Sequence, residues 1–256
     1  MNVKEILVNI HDFHAGICNH IRHEIFDTIT AVVRSNEGCN VRFVEVGAND
    51  GSSGHDPVFP YVKVHNWEGV LVEPVPYLFK RLKENYPTDS KVQFVQACCG
   101  SEEGIFPFYE VDESAEAISP VAPFLSSFDR SVIMNHACFV PDMEKYINTI
   151  PIQTKRVDTI VKESGIGNIH VLVTDTEGHD DKVLSGYNFD NHRPMAVYME
   201  HKHIRFDALR NIVSQMEGYN YKPIWMFEDI LFVNNYLFSI PLVKNIFSMM
   251  EAMYRV

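Results

Sequence analysis

The chain has 256 residues, of which 46% are hydrophobic, and a formal net charge of −12 with a pI near 5.4. This length and composition suit one sizeable domain with a buried core, and the acidity argues against a nucleic-acid partner, whose phosphates would require clustered Lys and Arg. Five cysteines without C-x-x-C spacing suggest neither a disulfide framework nor a zinc knuckle, no segment is apolar for long enough to span a membrane, and the N-terminus carries no secretory pattern. A cytoplasmic protein with reduced thiols is expected.

Residues 1–38 place Ile6, Ile10, Phe13, Ile17, Ile21, Ile25 and Ile29 at helical spacing. The segment reads as an N-terminal helical cap or dimer surface, with Gly16 as a break between two helices. His11, His14, His20 and His23 share helical faces, but no acidic partners are arranged beside them, so a solvated face explains them better than a metal site.

The run Phe43-Val-Glu-Val predicts a short strand buried on both faces, ending in the turn Gly47-Ala-Asn-Asp-Gly51. A strand feeding a glycine turn opens a nucleotide-type α/β fold, in which ligands lie outside the carboxyl ends of parallel strands. The spacing Glu45-x-Gly47-x-Asn49-x-Gly51 lacks the G-x-G-x-x-G of a dinucleotide site. An acid ahead of the first glycine suits a cationic ligand such as S-adenosylmethionine (SAM), although an ordinary strand-to-helix turn accounts for the glycines as well.

Gly69-Val-Leu-Val-Glu73 predicts a second buried strand closing on a carboxylate, about 20 residues past the glycine loop, where an acid accepts ribose hydroxyls. Glu73 is therefore the expected ribose ligand, its alternative being a cap on a helix over 77–85. A third strand over 91–97 would set Ala97 and Cys98 beside an adenine. From 112 to 150 the periodicity fades among prolines, and this insertion is expected to hold the acceptor pocket or a lid. Strands over 169–175 and 195–200 end in Asp175 and Glu200. A helix over 206–217, an antiparallel pair over 221–233 and an amphipathic helix over 242–254 complete the chain, and the terminal helices offer surfaces for a homo-oligomer.

The segments Val-Glu-Val-Gly-Ala-Asn-Asp-Gly, Val-Leu-Val-Glu-Pro, Lys-Arg-Val-Asp158-Thr-Ile and Thr-Asp175-Thr-Glu-Gly-His-Asp-Asp-Lys-Val-Leu resemble, in this order, those of FkbM-type methyltransferases, from about Val41 to Val233. The resemblance implies a Rossmann-like, seven-stranded class I methyltransferase sheet over 39–256 with helices on both faces. It also implies SAM as cofactor, bound by Glu45, Gly47, Asn49, Gly51, Glu73, Ala97, Cys98 and Asp175, and O-methylation of a small molecule, sugar or glycan. Glu45 stands where the family more often has Asp, and His179 where many members have a small residue.

Methyl transfer to an alcohol needs a base or a cation that lowers the hydroxyl pKa. Asp175, His179 and Glu200 are the expected catalytic group, with His179 as base and Mg²⁺ on Asp175 and Glu200 as a further expectation, in the manner of metal-assisted sugar O-methyltransferases. Asp180, Asp181 and Glu177 are expected to push the His179 pKa upward. A nicotinamide oxidoreductase and an inactive SAM-binding scaffold are the competing readings.

Overall fold

The computed structural model describes residues 3–51, 56–138 and 140–254, with side chains from residue 14 to residue 253 of that set. The chain opens with α1 (Val3–Glu37), then β1 (Arg42–Val46), α2 (Phe59–His65), β2 (Glu68–Val72), α3 (Pro76–Asn85) and β3 (Val92–Val95). The insertion follows with β4 (Cys98–Cys99), β5 (Gly104–Val111), α4 (Arg130–Asn135) and β6 (Ile147–Lys155). The second half holds α5 (Val157–Ser164), β7 (Val171–Thr174), α6 (Asp180–Ser185), β8 (Ala196–Glu200), α7 (Phe206–Gly218), β9 (Tyr221–Trp225), β10 (Asp229–Asn234), α8 (Asn235–Phe238) and α9 (Pro241–Tyr254).

Seven strands form one sheet in the order β3-β2-β1-β7-β8-β10-β9, parallel except for β10, which runs against both neighbours. The strand order reverses between β1 and β7, so the loops after Val46 and Thr174 open the crevice in which α/β sheets bind ligands. Because side chains alternate along a strand, the two faces sort cleanly. Phe43, Leu71, Val173, Tyr198 and Leu231 pack with α1, α2 and α9, whereas Val44, Val46, Leu172, Met199 and Phe232 pack with α5, α6 and α7.

The N-terminal segment is one helix, not two. From Ile21 to Val33 it buries Ile21, Ile25, Phe26, Ile29 and Val33 against the sheet, with Thr30 accepting a hydrogen bond from the Trp67 indole at 3.0 Å. Burying five such side chains is worth on the order of 10 kcal/mol, against about 1 kcal/mol for an interior glycine, so packing carries the helix through Gly16. Its buried face makes it part of the principal core. Side chains up to residue 13, including Ile6, Ile10, Phe13 and His11, lie outside the described residues. His23 contacts the Tyr61 hydroxyl at 3.0 Å, and His20 lies 3.8 Å from Glu24.

The insertion is more ordered than a fading period suggests. β6 pairs antiparallel with β5 from Gly104↔Thr154 to Val111↔Ile147, and parallel with β4 only at Thr154 and Lys155. Pro151 lies opposite Pro107 in the stretch where β6 has no second neighbour, a position that tolerates a missing donor. Residues 112–146 fold into short turns and α4 around their own cluster of Val111, Ala115, Ala122, Leu125, Ile133, Val140 and Met143. At the far end α9 buries Val243, Ile246 and Met250 on the body.

Candidate active site

Gly47 begins the site. Its φ is +84°, and a Cβ there would lie 1.7 Å from the Asp175 carbonyl oxygen, so only glycine lets the loops after β1 and β7 touch. Gly47 and Ala48 donate their N–H groups to Val72 O, and Asp175 N donates to Val46 O, which fixes the three strand ends together. Glu73 is 3% exposed. Its Oε2 accepts from Asn49 N at 2.9 Å and its Oε1 from Val75 N at 2.8 Å, so it holds both the glycine loop and the turn that leads into α3. Burial pushes its pKa up to about 7, and the two backbone donors only partly oppose this.

Two cavities meet at this junction. The first, with about 480 Å³ of open space, is lined by Gly47, Asn49, Glu73, Ala97, Cys98, Phe124, Phe128, Asp175 and His179 among others. Its apolar walls, with Glu73 on one side and Asp175 and Glu177 on the other, suit a nucleoside carrying polar hydroxyls. The second, larger and more polar, lies on the α1 face and is lined by Asn19, Arg22, Glu45, Asp56, Asp175, Tyr198, Glu200 and Asp229 among others. The cavities share Gly47, Asn49 and Asp175. Gly51 lines neither: a Cβ there would collide with Leu82 and Tyr86, so it serves loop packing.

The expected residues therefore divide. Glu73, Ala97, Cys98 and His179 line the first cavity, Glu45 and Glu200 the second, and Asp175 both. The pleat explains this, because Glu45 and Glu200 keep step with Phe43 and Tyr198 on the α1 face. His179 and Glu200 do not line a common cavity.

Charge in the second cavity is unbalanced. Glu45 and Glu200 are buried, each with an oxygen lacking a hydrogen-bond partner. Burial raises the pKa values of Glu45 and Asp175 well above the carboxylate range, and each is raised further by neighbouring carboxylates. Glu200 is pushed up to about 11 by burial and by Asp175, Glu177, Asp180 and Asp229. Arg22 of α1 opposes Glu45, with Nη1 3.4 Å from the Tyr198 hydroxyl, which in turn donates to Asp229 at 2.6 Å. The sequence reading missed Arg22, Asp56, Tyr198 and Asp229, and also Phe124 and Phe128. Arg22 was the legible one, as the lone cation on an otherwise apolar helical face.

His179 precedes α6 and packs its ring on Phe128 at 4.4 Å. Its pKa is lowered to about 4, not raised, because burial outweighs the pull of Asp181. Asp180 turns instead to the Thr176 hydroxyl at 2.9 Å, and burial keeps its own pKa near 6. As for Mg²⁺, Asp175 and Glu200 belong to no set of three ligand atoms within 4.8 Å of one another among the described residues.

Comparisons with known proteins bear on the family. The Methyltransferase FkbM domain matches residues 45–223. No curated protein matches the chain significantly. Among solved structures, a precorrin-6y C5,15-methyltransferase from Geobacter metallireducens GS-15 is similar at 10% identity, covering 80% of this chain and 84% of that one, with a TM-score of 0.35. The Methanococcus jannaschii fibrillarin pre-rRNA processing protein is similar at 8% identity, covering 76% and 65%, with a TM-score of 0.36. At these scores the structural likenesses carry no argument about substrate. The domain match covers most of the chain together with the glycine loop, Glu73 and Asp175, and on that ground the protein belongs to the FkbM methyltransferase family.

Proposed function

We propose that the protein is a SAM-dependent O-methyltransferase acting on a hydroxyl of a small molecule, most naturally a sugar or glycan. The observation that carries this is the meeting of a mostly apolar cavity holding Glu73 with a polar, acidic one at Asp175. The residues fit the cofactor. Glu73 would hold the ribose hydroxyls and Ala97 and Cys98 would border the adenine, a reading supported by their shared cavity and by the unpartnered oxygens of Glu45 and Glu200, which a cation would neutralise. When bound, SAM supplies a methyl group made electrophilic by its sulfonium. Its positive charge favours the ionised forms of Asp175, Glu45 and Glu200, so binding releases protons from them.

In this reading the acceptor occupies the polar cavity, where Asn19, Arg22 and the carboxylates offer hydrogen bonds to a polyhydroxylated ligand. His179 takes the proton of an acceptor hydroxyl that reaches past Asp175 to the first cavity, which His179 lines, and burial keeps its ring neutral. A second reading has Glu200 as base, its carboxyl ionised to solvent when a cation lies beside it, and is favoured by Glu200 lining the polar cavity with Asp175. Calorimetric titration with SAM, then a screen of sugar nucleotides and glycans with isotopically labelled SAM, tests the function. SAM binding without transfer to any acceptor would support an inactive scaffold, and binding of a nicotinamide cofactor instead would support an oxidoreductase. His179→Ala and Glu200→Gln separate the two bases, since only loss of the true base collapses kcat while the other site stays intact.

Among the described residues no helix is long and apolar enough to cross a membrane. All five cysteines are free, which accords with a cytoplasmic setting in the same proposal. Oligomerisation through the exposed side of α1 or α9 belongs to the proposal too and is read by sedimentation.

A further inference from the structure

Beside the cleft, three chain segments converge on Gly178, whose φ is +95° and at which a Cβ would sit 3.2 Å from His203 Cβ and 3.4 Å from Val132 Cγ2. The loop after β7 brings Glu177, the end of α4 in the insertion brings His136, and the loop after β8 brings His203. Glu177 holds a left-handed φ of +51°, and its carbonyl accepts from the Ser127 hydroxyl at 2.7 Å, so the backbone that aims its carboxylate is pinned to the insertion. One ligand atom from each of His136, Glu177 and His203 lies within 4.8 Å of the others. Glu177 also borders the first cavity, whereas His136 and His203 line neither cavity.

We propose that His136, Glu177 and His203 form a binding site for a divalent transition-metal ion, zinc above all, that staples the insertion to the methyltransferase sheet. Two imidazoles and one carboxylate are a known zinc donor set, with a position left for water. Tetrahedral bonds of about 2.0–2.2 Å place ligand atoms about 3.3 Å apart. His203 Nε2 lies 3.2 Å from Glu177 Oε2 without making a hydrogen bond to it, and the His136 and His203 ring centroids are 5.4 Å apart. Glu177 Oε2 and His136 Nε2 are both buried and without hydrogen-bond partners. Both histidines have lowered pKa values through burial, so neutral rings are available to a metal without first losing a proton. Lys202 is the nearby opposing cation, and it is drawn off by Glu228 at 3.0 Å. Asp175, Asp180 and Glu200 add negative charge on the Glu177 side of the cluster.

This chemistry differs from the Mg²⁺ expectation, because nitrogen donors select a borderline metal over a hard one. The inference does not rest on the methyltransferase reading, since a metal staple can be present whatever the acceptor. Chelator-stripped full-length protein is titrated with Zn²⁺ by calorimetry and with Co²⁺ by visible absorption. One ion per chain at micromolar affinity or tighter, with Co²⁺ bands of nitrogen and oxygen ligation, is expected. His136→Ala and His203→Ala should each weaken binding by roughly 100-fold or more, the upper end of what even supporting residues of metal sites cost. Zinc should raise the Tm of the wild type and not of His136→Ala. Far-UV circular dichroism of His136→Ala serves as the folding control, and Glu177→Gln is the conservative variant should that control fail. Cys39→Ser probes the other metal-capable cluster, Glu37, Cys39 and His170, and should leave the stoichiometry unchanged. Absence of micromolar binding, or binding that survives both histidine variants or is lost in Cys39→Ser, overturns the proposal.

Discussion

Glu73 offers a test in which structure, stability and binding are linked by one proton. Burial raises its pKa from the carboxylate value of 4.5 to about 7. Between those values the folded state holds a proton that the unfolded state has released, so the group favours folding least at high pH. Apo-protein stability should therefore fall as pH rises through 4.5–7 and level off above. A shift of this size corresponds to about 3 kcal/mol in full, most of it expressed between pH 5 and pH 8. Glu73→Gln removes the titration. The substitution also breaks one of the hydrogen bonds from Asn49 N and Val75 N, because a side-chain amide oxygen cannot replace two carboxylate oxygens, at a cost of about 1–3 kcal/mol. That cost does not depend on pH and cancels when the mutant-minus-wild-type difference at pH 5 is subtracted from that at pH 8. Urea denaturation of both proteins at the two pH values should leave a residual of about 2–3 kcal/mol, the mutant faring relatively better at pH 8. SAM should show the mirror image: ribose hydroxyls bind the ionised form, so wild-type affinity rises with pH over the same window and Glu73→Gln affinity does not. Parallel stability curves for the two proteins would refute the assignment of a raised pKa to Glu73.

Gly47→Ala should cost several kcal/mol or prevent folding, since its Cβ would stand 1.7 Å from the Asp175 carbonyl at a φ of +84°, and chemical denaturation reads the loss. Ile25→Ala, at a fully buried site of α1, should cost about 2–5 kcal/mol by the same method, and a value near zero would mean that α1 is not part of the core. If His179 is the base, His179→Ala should lower kcat by roughly 10²–10⁴-fold with SAM affinity nearly intact, and its low pKa should keep the wild type active to about pH 5. Backbone amides of residues 112–150 should exchange more slowly once cofactor product and acceptor are both bound, because Phe124, Ser126 and Phe128 of that stretch line the first cavity. Unchanged exchange would show that the insertion does not close over ligands.

What could be read from the sequence was whatever depends on neighbours along the chain. Apolar runs ending in Val46, Val72, Thr174 and Glu200 announce buried parallel strands, and the turn residues that follow announce a ligand edge. Strand parity even held the division of the site, since Glu45 and Glu200 each stand two residues beyond side chains of the α1 face, Phe43 and Tyr198. Pairings between distant segments were hidden. The ladder joining Gly104–Val111 to Ile147–Lys155 spans some forty residues, and its prolines read as loop until Pro107 is set opposite Pro151. The His179 pKa was misjudged in sign because sequence shows its charged neighbours but not its burial. Arg22 escaped notice because its partners, Tyr198 and Asp229, lie far off along the chain.

The second cavity has a wall made by one helix, with Ala15, Cys18, Asn19 and Arg22 set at intervals of three and four along α1. None of these four lines the first cavity, and the two spaces have in common Gly47, Asn49 and Asp175. Drift on that helical stripe can therefore reshape what one chamber admits while the donor chamber keeps its geometry. Deeper along the same helix, Ile21 to Val33 anchor it independently of the stripe. On the proposed reading, such an arrangement would make acceptor preference an evolvable trait, open to exchange by grafting a few α1 positions while the walls of the first cavity stay as they are.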